Sequence, residues 1–296
     1  MKEKRIVAAA ILGKELFVAR VNTPEISSYN LETKSCRTFA VRKLSSAYDM
    51  CACLKSNYLY IIDNNKNSAN EIMTLITTGK VRKKWLTKEN TVGNLSVTTE
   101  GNVILAVHHK NTLLEYSPGG KLLCEIKLQE FNHLSHAIKL DIDRFVVCYG
   151  TLRGTKPTLS IVKRVGKDKK IEKSFPNGPG AAEIPLHWPS YMTVGKNGCV
   201  IVADLFSKRL LLLDSELNVK KKIVPKRKQG FRGPQMIFLN ETLLAVVITG
   251  GGPSPENNFT GQKGDTEIKD VDDEKKIDED CELLVFDIKP LLQPLT

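Results

Sequence analysis

The sequence lacks the motifs on which most enzymes and zinc-binding domains depend. It contains no CxxC pair, no glycine-rich phosphate loop and no nucleophile motif, and it has only five scattered histidines. No apolar run reaches the ~18 residues of a membrane span. These absences argue against zinc modules, nucleotide-phosphate binding and membrane insertion. The 296 residues, 41% hydrophobic and 26% charged, have the composition of a globular protein.

Disulfides are also not expected. The seven cysteines are odd in number, and a chain of this length needs no covalent staples. Free thiols in a reducing compartment are therefore predicted, which places the protein in the cytoplasm. The N-terminal segment has a basic start followed by an apolar run at residues 6–12. A signal peptide could have this pattern, but the same residues also fit a strand of the repeat below.

The net charge of +11 is unevenly distributed. Residues 265–280 carry nine acidic residues and three lysines, a net charge of −6, which leaves +17 on the rest of the chain. Residues 249–281 contain few large apolar side chains and many polar ones. We predict a basic body that carries a disordered acidic insertion at 249–281.

A repeat of about 43 residues runs through the chain. Its central apolar segments begin at six positions separated by 43, 44, 42, 55 and 44 residues, namely Leu16, Leu59, Val103, Phe145, Val200 and Leu244. Each unit also contains a preceding strand, a following strand and a fourth strand, with glycine-rich turns between several of them. Four short strands at this spacing are typical of a propeller blade.

The predicted fold is therefore all-β, a single six-bladed β-propeller with four antiparallel strands per blade over residues 1–296. The predicted blades cover residues 5–43, 48–87, 93–128, 134–175, 189–225 and 233–296, and the insertion at 249–281 interrupts the sixth. The only candidate for a fourth strand in blade six is "LLQPLT" at the C-terminus. The two chain ends are expected to close the ring together.

The pattern "NGCVIVADLFSKRLLLLDSEL" at residues 197–217 resembles the NHL repeat of the propeller that ends many tripartite-motif proteins. The shared features are a glycine turn, an apolar strand ending in Asp, a polar loop with Arg, and a second apolar strand. Residues 93–126 and 136–150 fit degenerate versions of the repeat. The strand-ending Asp is kept at Asp63 and Asp204 and replaced in the other units.

This resemblance implies a non-catalytic binding platform. Propellers of the family recognise a protein partner, as substrate-recognition or scaffold modules attached to ubiquitin ligases, or structured RNA, through loops on one rim. The chain shows no RING or B-box array and no heptads, so no ligase activity of its own is implied. We expect a protein partner, with RNA binding by a basic rim as the alternative. Cofactor, catalytic and metal sites are not predicted, nor is membrane association, and the module is expected to be monomeric unless it is fused to an oligomerising segment.

The candidate contact surface is the loop rim, defined as the loops between second and third strands together with the loops between blades. In a propeller both sets lie at the same end of the blades. Basic residues interleaved with aromatic ones suit phosphates and unpaired bases. The predicted binding residues on this rim are Arg42, Lys43, Lys110, Arg153, Lys156, Lys208, Arg209, Lys226, Arg227, Lys228, Phe231 and Arg232.

A third alternative is a metal-dependent, lactonase-like hydrolase, since some six-bladed propellers hold a metal in the central channel. Such a site needs convergent carboxylate, Asn or His ligands at the starts of the first strands. Those starts offer Asp49, Asn94, Ser135, Ser190 and Pro234, of which only Asp49 is charged. This set favours a binding protein over an enzyme.

Overall fold

The structure is a computed structural model. It describes residues 6–63, 71–88, 93–131, 133–150, 156–166, 168–176, 184–195 and 198–224 in full, and the backbone of 236–239, 243–249, 275–278 and 281–287. One 3-10 turn at His108–Lys110 interrupts an otherwise all-β arrangement of these residues. In this part of the chain, no helix has the length and apolar character needed to cross a membrane.

Each of the first three blades is a sheet of four consecutive antiparallel strands. Their strands are β1 (Ile6–Leu12), β2 (Glu15–Arg20), β3 (Glu25–Asn30), β4 (Cys36–Ala40), β5 (Ala47–Cys53), β6 (Tyr58–Asp63), β7 (Glu71–Leu75), β8 (Val81–Leu86), β9 (Gly93–Val97), β10 (Val103–Val107), β11 (Thr112–Tyr116) and β12 (Leu122–Lys127). Residues 6–12, the segment with a signal-peptide-like pattern, form the first strand of the first blade.

The fourth and fifth blades follow the same order, and a further four-stranded sheet contains the last strands. Their strands are β13 (Leu134–Lys139), β14 (Arg144–Tyr149), β15 (Thr158–Val165), β16 (Asp168–Phe175), β17 (Pro189–Val194), β18 (Val200–Asp204), β19 (Arg209–Leu213), β20 (Val219–Ile223), β21 (Met236–Leu239), β22 (Leu243–Thr249), β23 (Lys275–Asp278) and β24 (Cys281–Asp287).

The prediction of a propeller with four-stranded antiparallel blades is confirmed, but the number of regular blades is five, not six. In β1–β20 every sheet keeps its strands in chain order, whereas the last sheet has the order β21-β22-β24-β23. Its outer strand, β23, lies within residues 249–281, the segment predicted to be a disordered insertion. The outer edge predicted for "LLQPLT" is thereby occupied by β23; residues 291–296 lie outside the described part of the chain.

The first strand of each sheet lies at the centre of the arrangement. β1, β5, β9, β13 and β17 contact one another in succession, and β21 contacts both β17 and β1. The sheet of β21–β24 therefore lies between the fifth and first blades. Each sheet is built from its own stretch of chain, so no exchange of strands between the two ends is seen in the described residues.

The hydrophobic core lies between the blades. The second strands are buried along their length because each blade packs against a neighbour on both faces, as in β10 and β18. Phe17, Leu59 and Met73 belong to the cluster shared by the first two blades. Tyr60 and Leu105 belong to the next cluster. Burying one such leucine side chain contributes roughly 1.5–3 kcal/mol to stability.

The cysteines are part of this packing. The six cysteines whose side chains the structure describes are free thiols. Cys51 and Cys53, two residues apart on β5, pack into the same cluster between the second and third blades. They lie on one face of the strand because side chains alternate along it.

Lysines on the outer strands join neighbouring blades. Lys83 on β8 donates to the carbonyl of Gly119 in the third blade at 2.6 Å. Lys173 on β16 donates to Asn218 Oδ1 in the fifth blade at 2.8 Å. Charged side chains on a free strand edge also discourage pairing with other chains. The outer lysines thus cover exposed edges and connect adjacent blades at the same time.

Gly93, the first residue of β9, lies so close to the backbone of β10 that a side chain would clash with it. A Cβ atom there would lie 1.9 Å from the backbone oxygen of Ala106 on β10. We expect Gly93→Ala to lower the free energy of unfolding by about 2–3 kcal/mol, because the clash is with backbone and can be relieved only by moving a strand. Urea denaturation measures this effect.

Gly13→Ala is the control for the Gly93 substitution. Gly13 has a φ of +61° with no atom within 4 Å of the added Cβ, so its cost is only that of left-handed backbone, about 1 kcal/mol. Equal stability losses in the two variants would show that β9 and β10 can separate without penalty.

Candidate binding rim

The loop rim is held together by the two Asp residues that end second strands. Asp63, at the end of β6, accepts hydrogen bonds from the backbone amides of Ser45, at 3.1 Å, and Ser46, at 2.9 Å. Asp204, at the end of β18, accepts from the amides of His187, at 3.1 Å, and Trp188, at 2.9 Å. In both blades, one buried carboxylate binds the preceding interblade loop to the hairpin. The repeated Asp is therefore a structural residue that fixes the shape of the rim.

Arg209 completes this arrangement in the fifth blade. Its Nε and Nη2 atoms both donate to Asp204 Oδ2, at 3.1 and 3.0 Å, and Nη2 also donates to the carbonyl of Pro185 at 2.5 Å. The residue is only 7% exposed. The prediction that Arg209 is a contact residue for a partner is therefore wrong, because its guanidinium group is buried against Asp204 and the interblade loop.

The loops held by Asp204 carry a pair of aromatic side chains. The rings of Trp188 and Phe206 have centroids 5.0 Å apart and an interplanar angle of 44°. Phe206 is 61% exposed. The backbone amide of Leu205 donates to the carbonyl of Trp188 at 2.9 Å, and His187 Nδ1 lies 2.7 Å from Ser207 Oγ. The two loops that carry the rings are thus bound to each other as well as to Asp204.

The remaining predicted rim residues are distributed over several hairpins. Arg42 and Lys43, between the first two blades, are exposed, as are Lys110 in the third blade and Lys156 in the fourth. Lys208, in the hairpin of the fifth blade, is half-buried. These residues belong to loops of different blades. The other members of the predicted set lie outside the described residues: Arg153, Lys226, Arg227, Lys228, Phe231 and Arg232.

His108 lies where three blades meet at the rim. Its Nε2 is 3.0 Å from the carbonyl of Ser135 in the fourth blade, and its Nδ1 is 3.3 Å from the hydroxyl of Tyr48 in the second. Since a carbonyl can only accept, Nε2 carries the proton and Nδ1 accepts from Tyr48. Burial lowers the pKa of His108 to about 4, so the ring is neutral at neutral pH. With both nitrogens occupied, His108 connects blades rather than transferring protons.

Asp49, on the inner strand β5, carries a buried carboxyl group. Asp49 Oδ2 accepts from the amide of Leu95 at 2.7 Å, and Oδ1 accepts from the amide of Met50 at 2.8 Å. Burial raises the pKa of Asp49 to about 7 despite these hydrogen bonds. The predicted channel-lining carboxylate is therefore used to join β5 to β9. Among the described residues, no group of three or more His, Cys, Asp and Glu could hold a metal ion.

Tyr191 lies across the same inner strands. Its hydroxyl donates to the carbonyl of Leu95 at 3.5 Å, which joins the fifth blade to the third. Its ring centroid is 4.2 Å from that of His136 on the intervening β13. Sequence reasoning did not identify His136 or Tyr191 as axial residues. Each follows a register shift at the start of its strand, and no local sequence signal marks such a shift.

Comparisons with known proteins agree with the architecture. No protein-family model matches the chain, and no curated protein matches it by sequence. Several solved structures have a similar fold. The WD40 β-propeller domain of Doa1 aligns with a TM-score of 0.56 at 10% identity, over 81% of this chain and 74% of that one.

Two further structures have comparable similarity. Virginiamycin B lyase from Staphylococcus aureus has a TM-score of 0.56 at 12% identity, over 82% of this chain and 77% of that one. A protein of unknown function from Bacteroides caccae has a TM-score of 0.53 at 14% identity, over 75% and 82%. Identities this low establish the fold alone, and by that measure the chain is a β-propeller.

Proposed function

We propose that this chain is a propeller of the NHL type that acts as a non-catalytic binding platform in the cytoplasm. It recognises a protein partner through its loop rim, in the manner of the substrate-recognition or scaffold modules attached to ubiquitin ligases. Its partner, rather than the propeller, supplies any chemistry. The module itself is monomeric unless it is fused to an oligomerising segment.

The observation that carries this proposal is the way the rim is built. Asp63, Asp204 and Arg209 are buried in hydrogen bonds that hold loops in place, and His108 is neutral with both nitrogens bound. These four groups, which could act as acid, base or ligand, are thus used for structure. What the rim presents to solvent is an ordered backbone with exposed side chains at its loop tips, which suits recognition.

A charge-reversal variant of the rim tests the proposal. We expect Arg42→Glu/Lys43→Glu/Lys156→Glu to lose the partner captured from native cells by the wild-type protein, because all three side chains are exposed on the rim. Removal of one rim charge costs binding mainly through slower association, and reversal of three should reduce capture at least ten-fold. Affinity capture followed by mass spectrometry measures the loss.

The matched control is Lys34→Glu/Lys55→Glu/Lys121→Glu, which reverses three exposed lysines in loops at the opposite end of the blades. Lys34 matches Lys43 in backbone as well, since both have positive φ, 63° and 69°. The control should retain the partner. Equal loss in both variants would indicate a general charge effect and contradict recognition by the rim.

RNA binding remains the second candidate because the exposed residues of the predicted set in the described rim are all cationic: Arg42, Lys43, Lys110 and Lys156. If about six phosphates of a single strand are contacted, log affinity falls with log salt at a slope near −4. Affinity would then fall roughly 300-fold between 50 and 200 mM salt. Capture that survives ribonuclease and depends weakly on salt supports the protein partner.

A further inference from the structure

The fifth blade exposes a large apolar side chain, Phe206, on the rim. Phe206 is the one aromatic residue among the large hydrophobic side chains that the described residues expose, and its exposed fraction is 61%. It lies at the tip of the β18–β19 hairpin, and the core clusters of the described residues shared between neighbouring blades do not include it. An exposed aromatic side chain at a loop tip is typical of the anchor residues of protein interfaces.

The conformation of this anchor is set before any partner arrives. Phe206 packs on Trp188, and the turn that carries it is closed by a bond from the amide of Lys208 to the carbonyl of Leu205 at 3.1 Å. Asp204 holds the facing loop through the amide of Trp188 at 2.9 Å. A rigid aromatic pair loses little conformational entropy on binding, so more of the contact energy appears as affinity.

The hairpin that carries Phe206 and the hairpin of the adjacent fourth blade each carry a lysine in their described residues. Lys208 is two residues from Phe206, and Lys156 is exposed on the hairpin of the adjacent fourth blade. The carboxylate of Asp204 is neutralised by Arg209. The other acidic residue in the described rim segments of these two blades, Glu130, pairs with Lys169 at 3.0 Å. A ligand that places carboxylates beside an apolar side chain would complement this surface.

We propose that the Trp188–Phe206 pair is the docking site for an acidic peptide segment of the partner. An aromatic or aliphatic side chain of that segment packs on Phe206, and flanking carboxylates lie near Lys208 and Lys156. The inference rests on the proposed function and names the chemistry of its partner. Single lysines on separate hairpins suit discrete carboxylates better than a polynucleotide, which gains affinity from a row of neutralised phosphates.

A peptide-display selection on the intact chain tests the inference. A random 12-residue library is selected on the wild-type protein, and the affinity of enriched peptides is measured by tryptophan fluorescence. The chain has two tryptophans, of which Trp85 is buried at 9% exposure, so a ligand at the rim is reported by Trp188. Enriched peptides should carry an apolar residue flanked by Asp or Glu.

Substitutions then locate the site. Phe206→Ala is expected to weaken these peptides at least 30-fold, as removal of an interface anchor does, and Lys208→Gln about 3–10-fold with a smaller salt dependence. Because Phe206 is exposed, the Ala variant should keep the urea midpoint of the wild type. The matched control is Ile142→Ala, which shortens a side chain that is 76% exposed on the β13–β14 turn at the opposite end. It should leave the affinity unchanged.

Three outcomes would overturn the inference. The first is that enriched peptides bind Phe206→Ala as well as they bind the wild type, and the second is that the selection yields no acidic peptides. The third is that a 12-residue uridine oligonucleotide binds more tightly than any peptide and depends on Phe206. Peptides that ignore Phe206 but are lost in the Arg42/Lys43/Lys156 variant leave the proposed function standing. Peptides insensitive to both sets of substitutions contradict the proposed function as well.

Discussion

Asp204→Asn is expected to lower the free energy of unfolding by about 3–5 kcal/mol, because it leaves the buried charge of Arg209 without a counter-ion. The two side chains are 0% and 8% exposed, and the pair also binds the interblade loop through Trp188. Urea unfolding at neutral pH measures the loss. Because the same carboxylate holds the loop under the aromatic pair, Trp188 fluorescence should change in the native baseline as well.

Two further variants distinguish the ion pair from the hydrogen bonds. Asp63→Asn removes the equivalent carboxylate in the second blade, where the recorded bonds come from backbone amides such as that of Ser46. Its expected cost is smaller, about 1–3 kcal/mol. Asp204→Asn/Arg209→Met removes both charges and should recover part of the loss. If Asp204→Asn costs no more than Asp63→Asn, the buried pair does not stabilise the rim as argued.

The contribution of Asp49 to stability should fall as pH rises through its titration. Burial raises the pKa of Asp49 from 3.8 to about 7, so the native state keeps this proton at pH values where the unfolded chain has lost it. The stabilisation is complete below about pH 4 and is lost as pH rises to about 7. At about 1.4 kcal/mol per pKa unit, the loss approaches about 4 kcal/mol. The difference in urea unfolding between the wild type and Asp49→Asn across pH 4 to 8 measures it, because His108 and His136, whose pKa values burial lowers to about 4 and about 3, contribute in the opposite sense.

Asp49→Asn isolates this titration from the other groups in the protein. The amide cannot ionise, so the variant should match the wild type within about 1 kcal/mol at pH 4, where it loses one of two backbone acceptors, and exceed it at pH 8. Tyr48, Cys51 and Tyr191 lie around the carboxyl and do not ionise in this range, since burial raises the pKa of each further. Parallel pH profiles for the two proteins would contradict a buried, protonated Asp49.

Asp214→Asn provides a control of opposite sense. Burial alone would raise the pKa of Asp214, but hydrogen bonds from Asn218, Lys220 and the amide of Glu216 outweigh it and lower the pKa to about 2. Its contribution is therefore present above about pH 4 and is lost only in stronger acid. Between pH 5 and 8 the Asp214 variant should follow the wild-type profile with a constant offset.

The strands could be predicted because their signal is local. The segments "VILAV" at 103–107 and "VIVAD" at 200–204 coincide with β10 and β18. A strand forms from an apolar run flanked by turn residues, and these residues are neighbours in the sequence. The constant spacing of such runs along the chain predicts a propeller. The last sheet departed from the repeat because the insertion between β22 and β24 supplies its own outer strand, and nothing local distinguishes Lys275–Asp278 from the acidic residues around it.

The candidate site was only partly predictable. Asp63 and Asp204 were recognisable as repeated strand-ending residues. Arg209 was placed on the surface because it follows a polar hairpin, whereas it is buried against Asp204. Tyr191 was missed because its hydroxyl partner, Leu95, lies 96 residues earlier in the chain. Side-chain pairing between blades leaves no pattern in a single sequence.

The β-propeller fold, the length of its repeat and the uneven charge can be read from composition and from spacing along the chain. Which polar side chains hold loops together, and which side chains stay exposed on the rim, could be seen only in the folded protein. Burial and hydrogen bonding depend on neighbours from other blades, and those neighbours come into contact only when the sheets pack around their common axis.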